Sequence, residues 1–393
     1  MGSHGFVYPA IQLALGLRQR GHEVAFATSE TFQPLFEQVG LVRLPRDAAD
    51  GPSFVIDRWA HPVEAALQYK HLEYALRHFS ADVLVGTPFS LGAYLMRERV
   101  GIPLAVLGMA SHLWPSSGEA PPAQPSVMER WQWWRYEDML RHLNRARELL
   151  RAPPVSPPPR ELPFLGDLFL LRSVPELAGP EADYPERVHL VGDCLWDPPT
   201  VDPALEAWLE QTGGGSNADV LYVQHGRSFD GPTFWPQLME ALADKPLRLV
   251  ASTSRMEHKP SSLPARCYAR DFLPQKQVLP HAAGLIASAT TTAVLGALTQ
   301  GVPCLLIPGG GEQPDLAALV ARSGAGLSIP SSEASAEVLS RAVDRLLNDQ
   351  GLRDQAQRLQ RAFARMDSPA RALELLETLG HTRGPVPRAR AAK

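Results

Sequence analysis

Apolar positions along the first half of the chain alternate between helical and extended spacing. Residues 10–20 carry Ile11, Leu13, Ala14, Leu15 and Leu17 on one helical face and stop at Gly21, a residue suited to ending a helix. Residues 23–28 form a short apolar run rich in β-formers, the pattern of a strand buried on both faces. Helical spacing returns over 31–39, 63–78 and 91–100, with extended runs at 41–44, 82–85 and 103–107 between and after them. Strands alternating with helices predict an α/β fold with a parallel sheet covered on both faces.

The middle of the chain breaks this rhythm. Residues 115–125 are a Pro/Ser loop, and 127–150 read as one long helix carrying Trp131, Trp133, Trp134 and Tyr136. A Pro-rich connector at 152–163 precedes two closing strands, 168–173 and 188–191. A Gly-Gly-Gly-Ser link at 213–216 marks a boundary, after which the alternation restarts. Strands are expected at 220–224, 247–252, 285–287 and 304–307, and helices at 234–243, 291–299, 315–323, 335–347 and 352–366. The expected organisation is a first domain over 1–200, a second over 201–367, and a terminal helix with a basic tail over 368–393. Two such units facing each other leave a cleft at the carboxyl ends of their strands, where small ligands bind.

Composition narrows the function. The net charge of −4 leaves no basic excess to neutralise a phosphate backbone, which argues against nucleic acid as a partner. Apolar runs stay far below the roughly 18 residues of a membrane span, and residues 1–9 lack a signal-peptide pattern, so the expected location is cytoplasmic. Cys194, Cys267 and Cys304 are odd in number and far apart, and read as small buried hydrophobes rather than disulfides or metal ligands.

Candidate chemistry concentrates in the second half. The strand at 285–287 runs into Ser288, Ala289, Thr290, Thr291 and Thr292 at a helix start, where free N–H groups and the helix dipole favour an anion. Ordinary Ser/Thr capping explains the same residues. The strand at 304–307 delivers Gly309-Gly310-Gly311-Glu312-Gln313 to the same sheet edge, with a carboxylate and an amide suited to sugar hydroxyls. Phe272, Leu273 and Gln275 offer an aromatic face beside an amide, with core packing the other reading of Phe272.

These segments, together with Gly5–Pro9, Arg20-Gly21-His22-Glu23-Val24, Gly226-Arg227-Ser228, Leu279-Pro280-His281-Ala282 and Gly301-Val302-Pro303, occur in an order that resembles GT-B glycosyltransferases. The resemblance is to the bacterial natural-product type, related to the UDP-glycosyltransferases. It implies two Rossmann-like domains, an acceptor side in the first and a nucleotide sugar in the second, and inverting transfer with no metal or cofactor. By position it implies that Phe272 stacks on the base, that Leu273 reads the base edge and that Gln275 lies near the ribose. Ser228, Ser288, Thr290, Thr291 and Thr292 would hold the diphosphate, and Glu312 and Gln313 the sugar. The implied partners are a UDP- or TDP-sugar and a lipophilic acceptor. A homodimer is left open.

The sequence also departs from that family. Its His-Gly-Gly-x-Gly-Thr turn reads Ser288-Ala289-Thr290-Thr291-Thr292-Ala293, and its ribose-binding Glu falls at Gly296. Its Asn after the acid and Gln falls at Leu316, and the Asp that supports its base falls near Thr87. The general-base position is Phe6, which cannot accept a proton; His4 and His112 are the substitutes within reach along the chain, each also readable as structural. Phe6, Trp131 and Trp134 are expected to shape the acceptor pocket, with an aromatic face packed on the sheet as the alternative for the tryptophans. The family opens with a central strand for which residues 1–3 leave no room, and a start upstream of Met1 is the favoured reading. A catalytically silent relative acting as a binding or partner protein is the rival to transfer.

Overall fold

The computed structural model describes residues 1–115, 123–154, 162–210, 220–225, 234–253 and 266–389. The chain divides into two compact units: Met1–Pro175, Gly179–Cys194 and Asp367–Lys393 in the first, Glu176–Ala178 and Leu195–Met366 in the second. Among the described residues no helix is long and apolar enough to cross a membrane.

The first unit holds six strands: β1 (Ala25–Phe26), β2 (Val42–Arg43), β3 (Leu84–Gly86), β4 (Leu104–Leu107), β5 (Leu168–Leu171) and β6 (Val188–Leu190). They form two separate parallel sheets, β1-β2 and β3-β4-β5-β6. Every residue of β4 and β5 is buried, as their unbroken apolar sequences require of strands covered on both faces. Leu13, from the helix His4–Gln19, and Leu373, Leu376 and Leu379, from the helix Ala370–Thr382, pack on one face against Ala105, Leu107, Leu168 and Leu170. Arg97, on the helix Leu91–Val100, grips Asp167 with two hydrogen bonds, 2.7 Å from Nε and 2.5 Å from Nη2, and Leu104 N–H donates to the same carboxylate. The long helix Val127–Leu149 opens with a capping box of Ser126 and Glu129.

Two expectations are corrected here. Residues 23–28 yield a strand of only two half-buried residues, and β3 is likewise incompletely covered. Both border a cavity of about 760 Å³ inside the first unit, so neither gains a neighbour on that side. The helix begins at His4, not at residue 10: Ser3 is its N-cap and it continues through Pro9. Phe6 is therefore a helical residue.

The second unit is one six-stranded parallel sheet. Its strands are β7 (Val220–Gln224), β8 (Arg248–Ser252), β9 (Cys267–Arg270), β10 (Gly284–Ala287), β11 (Cys304–Leu306) and β12 (Gly326–Ser328), in the order β12-β11-β10-β7-β8-β9. Helices Phe234–Leu242 and Ala336–Asn348 cover one face through Leu238, Leu339, Val343 and Leu346 against Leu221, Val223, Ile286 and Leu305. The order reverses between β7 and β10, and parallel strands place all carboxyl ends on one edge. That reversal opens a crevice for ligands at the ends of these two strands.

Candidate functional site

The register pairs Gln224 of β7 with Ala287 of β10, so His225 and Ser288 leave the sheet side by side at the reversal. Ser288 is buried, and Ala289 follows in the left-handed region at φ 63°. The helix Thr291–Thr299 then starts from Thr290, whose side chain does not cap it. Helix starts as a class present their first-turn N–H groups to anions. Thr291 is buried; Thr290 and Thr292 are half-buried at the opening. His225 stacks on Phe234 with centroids 3.8 Å apart, and burial pushes its imidazole down to about 4.

The neighbouring β11 ends in the glycine loop. Gln313 is buried and its Oε1 accepts from Gly309 N–H at 2.9 Å, so the amide pins the loop from within. Glu312 is the half-buried N-cap of the helix Gln313–Ser323. Beyond β9, Phe272 is 45% exposed, whereas Leu273 is buried. Gln275 is half-buried against the helix Thr291–Thr299: a Cβ at Gly296 would clash with its Oε1. Phe272, the Ser288–Thr292 turn and Glu312-Gln313 therefore share one sheet edge. Ser228 lies outside the described residues.

The first unit carries a separate aromatic group. Phe6 meets Phe89 edge-on at 5.8 Å, Phe89 meets Trp59 at 4.9 Å, and Trp59 meets the His142 ring at 5.9 Å. His142 Nε2 lies 3.2 Å from Asp138 Oδ2, one helical turn earlier, and its buried Nδ1 has no hydrogen-bond partner among the described residues. His4 is exposed and packs on Tyr8 and Phe32, away from the Phe6 group. His112 is a core ring: burial pushes it down to about 3, and it sits edge-on to Phe169 and Tyr184. Trp131 and Trp134 contact each other at 5.6 Å but are 50% and 54% exposed, so this pair does not pack on the sheet. No group of three His, Cys, Asp or Glu among the described residues is placed to hold a metal ion.

Residues 237–379 match the family described as erythromycin biosynthesis protein CIII-like, C-terminal domain. The chain is 28% identical to 4'-demethylrebeccamycin synthase of Lentzea aerocolonigenes, over 95% of this chain and 97% of that protein. Among solved structures it is similar to the calicheamicin glycosyltransferase CalG4, at 24% identity and a TM-score of 0.70, over 97% and 96% of the two chains. It is also similar to glycosyltransferase VinC in complex with dTDP, at 17% identity and a TM-score of 0.66, over 97% and 98%. Residues 237–379 thus carry the EryCIII-like C-terminal domain, and the whole chain has the GT-B fold of natural-product glycosyltransferases.

For a glycosyltransferase, three features escaped the sequence reading. His225 gave only the weak signal of a histidine closing an apolar strand. Asp138 and His142 stand at i and i+4 on one helix, a spacing that could have been read as a pair. Trp59 and Phe89 lie in loops with no periodicity and only the fold brings them to Phe6.

Proposed function

We propose that this glycosyltransferase moves a sugar, with inversion and without a metal, from a UDP- or dTDP-linked donor to a lipophilic natural product. The observation that carries the reading is the sheet edge of the second unit, where an uncapped helix start and a pinned glycine loop flank the strand-order reversal. The diphosphate is held at Thr290–Thr292, with the base on Phe272 and the sugar at Glu312 and Gln313. The leaving oxygens gain charge as the bond to the anomeric carbon breaks, and fixed backbone N–H groups stabilise that charge without a cation. The likeness to a protein solved with dTDP supports the donor class.

Phe6, Phe89 and Trp59 form the acceptor wall, with the exposed Trp131 and Trp134 offering further apolar surface. His142, paired through Nε2 with Asp138, is the base beside this wall; its Nδ1 is buried in the free protein, so it takes the acceptor's hydroxyl proton only once acceptor entry uncovers that nitrogen. Of the three histidines, His142 suits the base role better than His4, which faces Phe32, or His112, which is sealed in the core. As the proton leaves, the acceptor oxygen bonds the anomeric carbon from the face opposite the departing diphosphate.

Titration calorimetry with UDP and dTDP tests the donor site; absence of heat with both, on folded protein, removes the proposal. With a turned-over donor–acceptor pair, His142→Ala should lower kcat by about 10²-fold or more, and Asp138→Asn should lower it less. Chelation should leave the rate unchanged. The rival reading, a silent relative that only binds, draws on Phe6 at the family's base position; any turnover excludes it.

A further inference from the structure

The long helix Val127–Leu149 is packed along one side, where Gln132, Tyr136, Met139, Leu143 and Ala146 are buried. Its outward stripe, at spacings of three and four residues, opens with Val127, Trp131 and Trp134 and continues with Asp138, Arg141, Arg145 and Glu148. Val127, Trp131 and Trp134 are 61%, 50% and 54% exposed, a large apolar surface for one end of a helix. Asp138 is half-buried, and Arg141, Arg145 and Glu148 are exposed. The stripe is therefore polarised, aromatic towards its start and charged towards its end.

The charges on and beside the stripe balance. Arg130, Arg141 and Arg145 stand against Glu137, Asp138 and Glu148. An anionic lipid surface would call for a basic excess. A balanced set calls for a partner carrying the same set in reverse order, and a second copy of this chain does so through two-fold symmetry. Parallel packing would set arginine on arginine. Antiparallel packing, with the two-fold axis at the level of residues 139 and 140, sets unlike groups opposite each other. Trp134 then lies under the second copy's Arg145, cation over ring. Trp131 can donate its indole N–H to the second copy's Glu148, whose carboxylate also reaches Arg130. Asp138 meets the second copy's Arg141. It already accepts from Arg141 of its own helix at 2.6 Å, so the two pairs close into a ring of alternating charge about the axis.

We propose that the protein forms a two-fold homodimer through antiparallel packing of this helix against the same helix of a second copy. The seam runs the length of the 23-residue helix, about 34 Å, with the Trp134–Arg145 contact made twice. The inference goes beyond the proposed function. In the dimer Trp131 and Trp134 face the second copy, and the acceptor keeps the wall of Phe6, Phe89 and Trp59.

Sedimentation velocity from low to high micromolar concentration should show the 43.0 kDa chain passing from monomer to dimer. Trp134→Ala should weaken association by about tenfold or more, as loss of a central aromatic anchor does. Arg130→Glu and Glu148→Arg each set like charges opposite one another and should weaken it too. An equimolar mixture of those two variants should associate as the unmodified chain does, because every contact between positions 130 and 148 regains opposite signs. Thermal melts matched to the unmodified chain establish that each variant folds; if Trp134→Ala does not, Arg145→Glu removes the same contact from its other side. A chain that stays monomeric throughout overturns the proposal. So does a dimer indifferent to these substitutions, or a mixture no better than its separate components. Monomer that sediments with phosphatidylglycerol vesicles, and loses this with Trp134→Ala, means that lipid covers the stripe and also overturns it.

Discussion

At the Ser288–Thr292 turn, single residues show how local strain and burial offset each other. Ala289 occupies the left-handed region that glycine adopts freely, and its methyl is fully buried. The strain of about 1–2 kcal/mol is set against a buried methyl of about 0.8 kcal/mol and the extra freedom glycine would have when unfolded. Ala289→Gly should therefore leave Tm nearly unchanged, whereas Ala293→Gly, in the helix that follows, should lower it; paired thermal melts decide. Buried histidines give a pH signature. His112 and His225 are held near 3 and 4 by burial, against about 6.5 when unfolded. The unfolded chain binds more protons below that value, so stability is whole above about pH 6.5 and declines as pH falls towards 4. Melts from pH 7.5 to 4.5 should show the decline, and His112→Phe should flatten part of it. Residue types and their order were readable in the sequence, as Gln313 beside its glycine loop shows. What it withheld was solvent access: nothing local distinguishes the core ring of His112 from the half-buried, Asp-paired ring of His142.

Elements were most legible where one force decides them. Residues 91–100 form the expected helix, and the apolar runs at β4 and β5 became fully buried strands. The strands β9 and β12 went unread because both lie at sheet edges, where half the residues face outward and an apolar pattern is not required. Their existence depends on a neighbour already in place. The helix Ala370–Thr382 was anticipated, but not its seat. It belongs with the first unit, where Leu379 is fully buried against the sheet core. Leu379→Ala should cost about 3 kcal/mol, within the range for large-to-small core changes. Denaturant unfolding followed at a first-unit probe would measure it.

Across the molecule, the path of the chain matters more than any one contact. It builds most of the first unit, completes the second over Leu195–Met366, and returns with Asp367–Lys393. The sequence announced a restart of the α/β pattern but not this return, because the terminal helix is amphipathic and could have packed on any apolar face. During synthesis the order of maturation is thereby inverted. The amino-terminal half must wait, its β4–β5 sheet lacking one covering layer, until the last residues leave the ribosome, while the portion translated later holds all its own strands sooner. With Met366 clear of the ribosome and the last residues still missing, the strands and helices described within Leu195–Met366 should resist protease while the first 175 residues are cut, which makes the waiting half a client for chaperones that shield unfinished sheets.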